Sequence, residues 1–305
     1  MLVHVLGSAA GGGFPQWNCA CLNCRGVRNG TIQATARTQS SVAVQGAEGS
    51  WFLIHASPDI RAQLAALPAL HPRTLRDTPL AGLLLTNGDL DQTLGLFSLR
   101  EGQPLHLYAT DSVRRAVRDG NVFSRAFDRM PGHVTWHELK LDVSQPLLGG
   151  DGRPSLWATA LAVPGKVPLY LESIATPQPD MNIALLIRDP ANGRTLGYAP
   201  CVGAHDPAVD RLLGEADCLF FDGTFWAEDE LPVQGLGRKT ARDMAHWPVG
   251  GPNGSLAALE KARARRKILI HLNNSNPLLR DDTAERREVE AAGVDVAYDG
   301  MEVEL

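Results

Sequence analysis

Short apolar or β-branched runs recur along the chain, each bounded by Gly, Pro, Asn or Asp. Runs of this length with these boundaries predict β-strands. The predicted strands are Met1–Gly7, Ser41–Val44, Trp51–Ile54, Gly82–Thr86, Leu105–Ala109, Asn182–Ile187, Cys218–Phe221, Lys267–His271 and Val294–Tyr298. Predicted helices lie between some of them, at Asp59–Leu64, Ser112–Arg118 and Gly254–Arg265. Strands mixed with helices throughout, without a fixed-period repeat, predict a layered α/β fold.

The chain has 305 residues and contains no Gly/Ser linker or low-complexity tract, so we predict a single domain spanning 1–305. The Pro-rich stretch Val163–Pro179 is too short for a domain linker and is predicted to be a loop over a pocket. The formal net charge of −5 gives no broad attraction for nucleic acid, and we expect no such partner. The basic cluster Lys261–Lys267 is predicted to be the solvated end of a helix.

The N-terminal residues lack a basic segment followed by a long apolar run, so no signal peptide is predicted. No window approaches 18 uncharged apolar residues, and we expect no membrane span. Three of the five cysteines lie within residues 19–24. This spacing suits a metal site in a reducing compartment better than a disulfide framework, which favours a cytoplasmic location.

Cys19, Cys21 and Cys24 form a C-x-C-x-x-C motif in a loop at about 14–30, which we call the cysteine clip. Three thiolates at this spacing can bind one face of a tetrahedral zinc ion, which prefers sulfur ligands. We therefore predict a structural zinc, with three buried, unligated cysteines as the alternative. The fourth ligand must come from far along the chain, and the sequence does not identify it.

Polar side chains follow three of the predicted strands. Asp89, Asp91 and Gln92 come after the run that ends near Leu85, and their side-chain oxygen atoms suit a hard divalent metal. The alternative is that the Asn-Gly-Asp segment ending at Asp89 is an ordinary turn. Asp222 follows a second strand and His271 ends a third. Open α/β sheets bind ligands at one set of strand ends, so we expect these residues to share one rim.

Taken together, these motifs resemble a known family, the pyrroloquinoline quinone (PQQ) biosynthesis protein PqqB family of the metallo-β-lactamase superfamily. The segments that carry the resemblance are Gly7–Cys19, Ala36–Ser41, Ala56–Arg61, Leu99–Gly102, Tyr198–Pro200, Asp222–Trp226 and Ile270–Pro277. The resemblance implies a metallo-β-lactamase-like four-layer αβ/βα sandwich. It also implies a role in making PQQ, a redox cofactor built from a Glu and a Tyr of a precursor peptide.

The chain departs from the superfamily's metal motif, H-x-H-x-D-H. Its positions read Asn87, Asp89, Asp91 and Gln92, so only Asp91 matches, and the family keeps a His where this chain has Gln92. The bridging carboxylate is also missing, since Cys201 lies near the Tyr198–Pro200 turn. Hydrolysis by a dinuclear zinc centre is therefore not expected.

Two further positions bear on the metal sites. Asn274 stands where related superfamily members have a His that closes the clip, and Asn is a rare zinc ligand, so another residue or water is an alternative. His246 resembles the superfamily's late loop His, which acts in proton transfer. A second-sphere or capping role is the simpler alternative for His246.

The resemblance leaves two functions open. In the first, which we favour, the chain is an iron-dependent oxygenase that hydroxylates a tyrosine-derived precursor. In the second it is a carrier that binds PQQ or its precursor and assists its transport to the periplasm. The expected partners are PQQ or that precursor and other proteins of the PQQ pathway; a homodimer is left open.

We predict a mononuclear site for Fe(II) or another divalent metal. Its ligands are drawn from Asp91 and His271, with Asp89, Gln92 or Asp222. The predicted catalytic residues are His246, His271 and Asp91. The residues placed by position alone as substrate-binding are Arg37, Arg61, Arg100 and Lys166, and a surface or structural ion pair is the alternative for each.

Overall fold

A computed structural model describes residues 1–129 and 132–305 of the chain. Within them, fourteen strands form two seven-stranded sheets. The first sheet contains β1 (Leu2–Gly7), β2 (Ser41–Gln45), β3 (Trp51–Ile54), β4 (Leu80–Leu84), β5 (Leu105–Ala109), β6 (Val134–Glu138) and β14 (Glu302–Glu304). Its strand order is β14-β1-β2-β3-β4-β5-β6. The last strand of the chain therefore returns to the sheet built by the first half.

The second sheet is built by the second half of the chain. Its strands are β7 (Ser144–Leu148), β8 (Pro154–Ala162), β9 (Ile183–Arg188), β10 (Thr195–Ala199), β11 (Cys218–Asp222), β12 (Arg266–Ile270) and β13 (Asp295–Val296), in the order β13-β12-β11-β10-β9-β8-β7. The strands β10, β11, β12 and β13 pair in parallel. Their carboxyl ends therefore meet at one edge of the sheet.

Short helices connect the strands. The α-helices are α1 (Leu22–Asn29), α2 (Ile60–Ala66), α3 (Leu90–Thr93), α4 (Asp111–Arg118), α5 (Pro207–Glu215), α6 (Glu230–Val233), α7 (Leu256–Glu260) and α8 (Ala284–Ala291). The 3₁₀ helices are Pro68–Leu70, Leu94–Ser98, Val122–Arg129, Leu169–Leu171, Pro179–Met181, Arg242–Met244 and Pro277–Leu279. Among the described residues, no helix has the length and apolar character needed to cross a membrane.

Side chains of successive strand residues point to opposite faces, and both faces of each sheet are buried. Phe52 and Ile54 of β3 pack with Phe220 of β11 in the core between the two sheets. Leu53 packs instead against α2 and α4, and Leu219 packs against α5, α7 and α8. The layers run helix, sheet, sheet, helix, which confirms the predicted four-layer αβ/βα sandwich.

Two helices that the sequence analysis missed begin at clear capping residues. The Asp206 side chain accepts a hydrogen bond from the Val209 amide at 2.9 Å, and Pro207 occupies the first turn of α5. The Thr283 hydroxyl accepts from the Arg286 amide at the start of α8. Both are N-terminal signals of helices, and they could have been found in the sequence.

The prediction of one helix over Gly254–Arg265 was wrong in its length. The helix α7 ends at Glu260, because the chain then turns to run beside α5 and β11, with the Arg263 amide donating to the Leu213 carbonyl at 3.0 Å. The basic cluster begins at Lys261, the C-cap of α7, and continues into β12. Two of its arginines form surface ion pairs, Arg263 with Asp217 at 3.2 Å and Arg266 with Asp295 at 2.9 Å.

The fully buried His55 makes the stability of the fold pH-dependent. Its Nε2 lies 2.8 Å from the Thr86 hydroxyl, and burial lowers the pKa of His55 to about 3. In the unfolded chain the same imidazole titrates near its ordinary pKa of about 6.5. As the pH falls through that value, the unfolded state gains a proton that the folded state does not bind. The free energy of unfolding should then fall by about 1.4 kcal/mol per pH unit.

The variant His55→Asn removes this titration and suits the positive φ of 71° at this position, which Asn tolerates. We expect the wild type to lose stability relative to His55→Asn between about pH 6.5 and pH 5 in urea denaturation. Parallel pH dependences in the two proteins would contradict the assignment of His55 as a neutral buried group.

Candidate metal pocket and cysteine clip

Loops at the carboxyl ends of strands from both sheets form one pocket. Asp91 lies in α3, after β4 of the first sheet. Asp222 ends β11 and His271 directly follows β12, while His246 follows the 3₁₀ helix Arg242–Met244. The structure therefore brings the predicted rim residues together across the two sheets.

Asp91 and His271 form the contact that joins the two sides of the pocket. The Asp91 Oδ2 lies 3.0 Å from the His271 Nε2, and the His271 Nδ1 lies 2.8 Å from the Thr224 hydroxyl. That hydroxyl already donates to Asp222 Oδ1 at 2.7 Å, so it accepts from the His271 Nδ1–H. The Asp91 carboxylate also only accepts, so His271 carries a proton on both nitrogens in this arrangement.

The electrostatics of this pair agree with its geometry. Burial alone would lower the pKa of His271, but the hydrogen bond and charge of Asp91, with Asp222 and Asp89 nearby, raise it. Burial would likewise raise the pKa of Asp91, and the His271 contact holds it below its usual value. The carboxylates around His271 therefore stabilise positive charge at its Nε2.

Asp222 fixes the second imidazole. Its Oδ2 accepts from the Val202 amide and the His246 Nδ1, both at 2.8 Å, and its Oδ1 accepts from the Thr224 amide at 3.0 Å as well as from its hydroxyl. Both oxygens of this fully buried carboxylate are therefore engaged by protein donors. This arrangement favours a positioning role for Asp222 over the predicted ligand role, and it leaves His246 Nε2 free.

The other two predicted oxygen ligands differ in their surroundings. Burial, and then the charge of Asp91, raise the pKa of Asp89 to about 6, while the charge of Lys166 acts in the opposite direction. Both the nitrogen and the oxygen of the Gln92 carboxamide contact the protein. Its Nε2 donates to the Cys201 Sγ at 3.2 Å, and its Oε1 accepts from the Thr86 hydroxyl at 3.2 Å. Gln92 thus acts on a sulfur atom rather than pointing an unpaired oxygen into the pocket.

Three of the loop residues around the pocket have left-handed backbone. The φ angles are 71° at His55, 59° at Ala245 and 65° at His271. Non-glycine residues rarely adopt such angles, and they concentrate at functional sites. At His271 the chain leaves β12 in this conformation, and the change of direction turns the imidazole towards Asp91.

The cysteine clip lies on the far side of the loop that carries His271. The sulfur atoms of Cys19, Cys21 and Cys24 all lie within 4.8 Å of one another. The carboxamide of Asn274 reaches all of them, with its Nδ2 at 3.2, 3.7 and 3.4 Å from the three sulfurs in that order. Asn274 is therefore the distant residue that contacts the clip, through an amide nitrogen that donates to the sulfurs. The three thiols form a donor set that fits zinc.

The predicted substrate-binding residues divide into two groups. Lys166 lies in the Pro-rich loop and its charge acts to lower the pKa of Asp89. Tyr170 of the same loop donates to the Gly88 carbonyl at 2.9 Å, so this loop lies against the segment that carries Asp89. Arg37 is buried and donates to the Ala297 carbonyl, so its role is to hold the N-terminal loop against the C-terminal segment. The side chains of Arg61 and Arg100 are exposed to solvent.

Comparison with known proteins agrees with this architecture. A sequence model described as "Beta-lactamase superfamily domain" matches residues 50–272. The chain is 43% identical over 306 residues to the coenzyme PQQ synthesis protein B of Pseudomonas putida strain GB-1, and the match covers 100% of both chains. It is 42% identical to the corresponding protein of Pseudomonas entomophila over the full length of both. The chain belongs to the PqqB family.

Solved structures support the same placement. The crystal structure of Zn²⁺-bound PqqB from Methylobacterium extorquens matches with a TM-score of 0.91 and 40% identity, covering all of both chains. A diphosphatase of the PhnP family matches with a TM-score of 0.66 at 20% identity, covering 97% of that protein, and shows the shared fold alone.

One pocket residue of this PqqB family member escaped the sequence analysis as a metal-binding candidate. The Cys201 sulfur lies within 4.8 Å of donor nitrogens of both His246 and His271. Burial, and then the charges of Asp222 and Asp89, raise the pKa of the Cys201 thiol well above its usual value. The available signal was its position two residues after β10, which parallels the position of His271 after β12.

We predict that the cysteine clip binds one zinc ion, and that Cys19→Ser removes it. Cys19 is only partly buried, so the substitution acts on stability mainly through the metal. We expect zinc per chain, measured by elemental analysis, to fall from about one to near zero, with a loss of about 4 kcal/mol or more in the free energy of unfolding. Cys218→Ala, at the start of β11 and away from the clip, is the control. Unchanged zinc content in Cys19→Ser would contradict the prediction.

Proposed function

We propose that this chain acts in the biosynthesis of PQQ as a metal-dependent enzyme that hydroxylates a tyrosine-derived precursor. The pathway rests on its full-length similarity to proteins named coenzyme PQQ synthesis protein B. The enzyme proposal rests on one observation. Three carboxylates, of Asp89, Asp91 and Asp222, lie close to two imidazoles at one partly buried site.

The donor set of the pocket fits a divalent cation. Buried carboxylates need compensating positive charge, and here it comes from the proton on His271 and from Lys166 at the rim. Thr224 and Asp222 hold the Nδ1 atoms of His271 and His246, so each ring would offer Nε2 to a metal, which would displace the proton that His271 Nε2 donates to Asp91. With Asp91, these two rings make the two-histidine, one-carboxylate set that is typical of non-haem iron oxygenases.

An iron(II) ion bound there would supply the capacity to bind and activate O₂. The overall reaction replaces an aromatic C–H bond by C–OH. One atom of O₂ enters the ring and the other leaves as water, with two electrons and two protons from an added two-electron reductant. Asp89, with its pKa near 6, is ionised at neutral pH and can accept the proton released from the substrate. Lys166 beside it can orient an acidic substrate.

The enzyme proposal predicts a second metal besides the zinc of the clip. After anaerobic loading with Fe(II), we expect about one iron per wild-type chain, and O₂ consumption in the presence of ascorbate and a peptide containing Glu and Tyr. Asp91→Asn and His271→Asn should weaken iron binding by more than about 100-fold, because each removes a ligand. Asn at position 271 also tolerates the left-handed backbone there.

The control for these variants is Asp119→Asn, an exposed carboxylate beyond α4. The readouts are iron per chain, O₂ uptake, and a mass gain of one oxygen atom in the peptide. Iron binding that is unchanged in both pocket variants would refute the proposed site. Iron bound without oxygenation of the peptide would refute the proposed reaction.

A carrier function is favoured by a different observation. Asp91 and His271 satisfy each other in the pocket, and both oxygens of Asp222 are engaged by protein donors, so this arrangement is stable without an ion. PQQ carries several carboxylates, and Lys166 at the rim offers a positive charge to one of them.

The carrier function predicts stoichiometric binding of PQQ that a metal chelator does not change. Lys166→Gln should weaken it by about fivefold, which corresponds to about 1 kcal/mol, as expected for a partly exposed charge pair. The exposed Lys140→Gln is the matched control. Equilibrium dialysis against PQQ with and without chelator measures both effects. Equal affinity in the two lysine variants would contradict the role of Lys166.

A further inference from the structure

We propose that Cys201 is a ligand of the pocket metal, so that the site binds its ion through one thiolate and two imidazoles. This inference rests on the proposed function, in that the pocket must hold a metal. The sulfur of Cys201 and ring nitrogens of His246 and His271 lie within 4.8 Å of one another. All three side chains are at most 9% exposed.

The two rings are held by their Nδ1 atoms, which leaves Nε2 of each ring on the side away from Asp222 and Thr224. The Nδ1 of His246 is held by Asp222 and the Nδ1 of His271 by Thr224, at 2.8 Å in each case. The rings stack with centroids 5.4 Å apart and planes inclined by 29°. Nε2 is therefore the atom that each ring can offer. Such outer hydrogen bonds to the remote nitrogen are the usual way in which proteins fix a metal-binding His.

A chain of hydrogen bonds positions the sulfur. The buried His55 lies 2.8 Å from the Thr86 hydroxyl, which donates to the Gln92 Oε1 at 3.2 Å. The Gln92 Nε2–H then donates to the Cys201 Sγ at 3.2 Å. An amide donor of this kind suits a sulfur that carries negative charge. Gln92, predicted as a metal ligand, thus acts through Cys201.

The ligand set decides which metals the pocket selects. Thiolate and imidazole favour Zn²⁺, Co²⁺ and Fe²⁺, whereas Mg²⁺ and Mn²⁺ prefer sites built from oxygen atoms. Asp91, 3.0 Å from the His271 Nε2, is the adjacent carboxylate that can complete the set. The pocket should therefore discriminate against Mg²⁺ and Mn²⁺, although the carboxylates of Asp89 and Asp91 would by themselves favour such ions.

The test uses Co²⁺ as a spectroscopic probe of sulfur ligation. The full chain is first given one equivalent of Zn²⁺ for the clip and then titrated anaerobically with Co²⁺. The variants are Cys201→Ala and the nearly isosteric Cys201→Ser, with Cys218→Ala, a second buried cysteine at the opposite end of the neighbouring strand, as control. Circular dichroism establishes that each variant is folded before the titration.

We expect the wild type and Cys218→Ala to show thiolate-to-cobalt charge-transfer absorption on binding Co²⁺. Both Cys201 variants should lack this absorption and bind Co²⁺ at least about tenfold more weakly. The difference spectrum between wild type and Cys201→Ala removes any contribution from cobalt in the clip. In a parallel titration, Cys201→Asp should gain affinity for Mn²⁺, because it replaces the sulfur with an oxygen ligand.

The outcomes separate this inference from the function on which it rests. If the wild type binds Co²⁺ and the Cys201 variants bind it equally, with no charge-transfer band in the difference spectrum, Cys201 is not a ligand although the metal pocket stands. If the wild type binds no metal beyond the clip, the metal-dependent function itself fails. The assignment of Cys201 as a ligand is supported only if both Cys201 variants lose the charge-transfer band and bind Co²⁺ more weakly.

Discussion

Both oxygens of the buried Asp222 carboxylate accept two hydrogen bonds each, and these four bonds organise the pocket. One bond holds the loop after β10 through the Val202 amide, and another holds the His246 ring. The two bonds from Thr224 place its hydroxyl where it can accept from His271. A carboxylate this deep in the protein is stable only because every lone pair is used. Removing it would release two imidazoles and the Cys201 loop together.

The sequence predicted the fold class and nine of the fourteen described strands, because buried strands are continuous apolar runs, as in Trp51–Ile54 and Cys218–Asp222. It did not predict β6, β7 and β14 at the sheet edges, or β8 and β10 inside the second sheet, where Ser, Thr or Gly interrupts the apolar run. The rule that ligands gather at strand ends placed Asp91 and His271 on one rim, where the structure also has them. Hydrogen-bond partners, such as those of Asp222, depend on loop geometry that no local pattern encodes.

The clip and the pocket share one loop. His271 begins it and faces Asp91, while Asn274, three residues later, contacts all three clip sulfurs. The amide of Ala10 donates to the Leu272 carbonyl at 2.8 Å, so the N-terminal loop packs against the same segment. A metal in the clip would therefore hold the backbone from which His271 projects, and the stability of one site supports the geometry of the other.

The sequence separation within these contacts has a consequence for how the protein is made. Asn274 is more than 240 residues from each clip cysteine, and His271 is 180 residues from Asp91. During synthesis the N-terminal half leaves the ribosome first, so its thiols and Asp91 emerge well before their partners. The complete metal sites can therefore form only late in synthesis. Until the C-terminal strands are made, the cysteines of the nascent chain can be oxidised or can bind another metal ion.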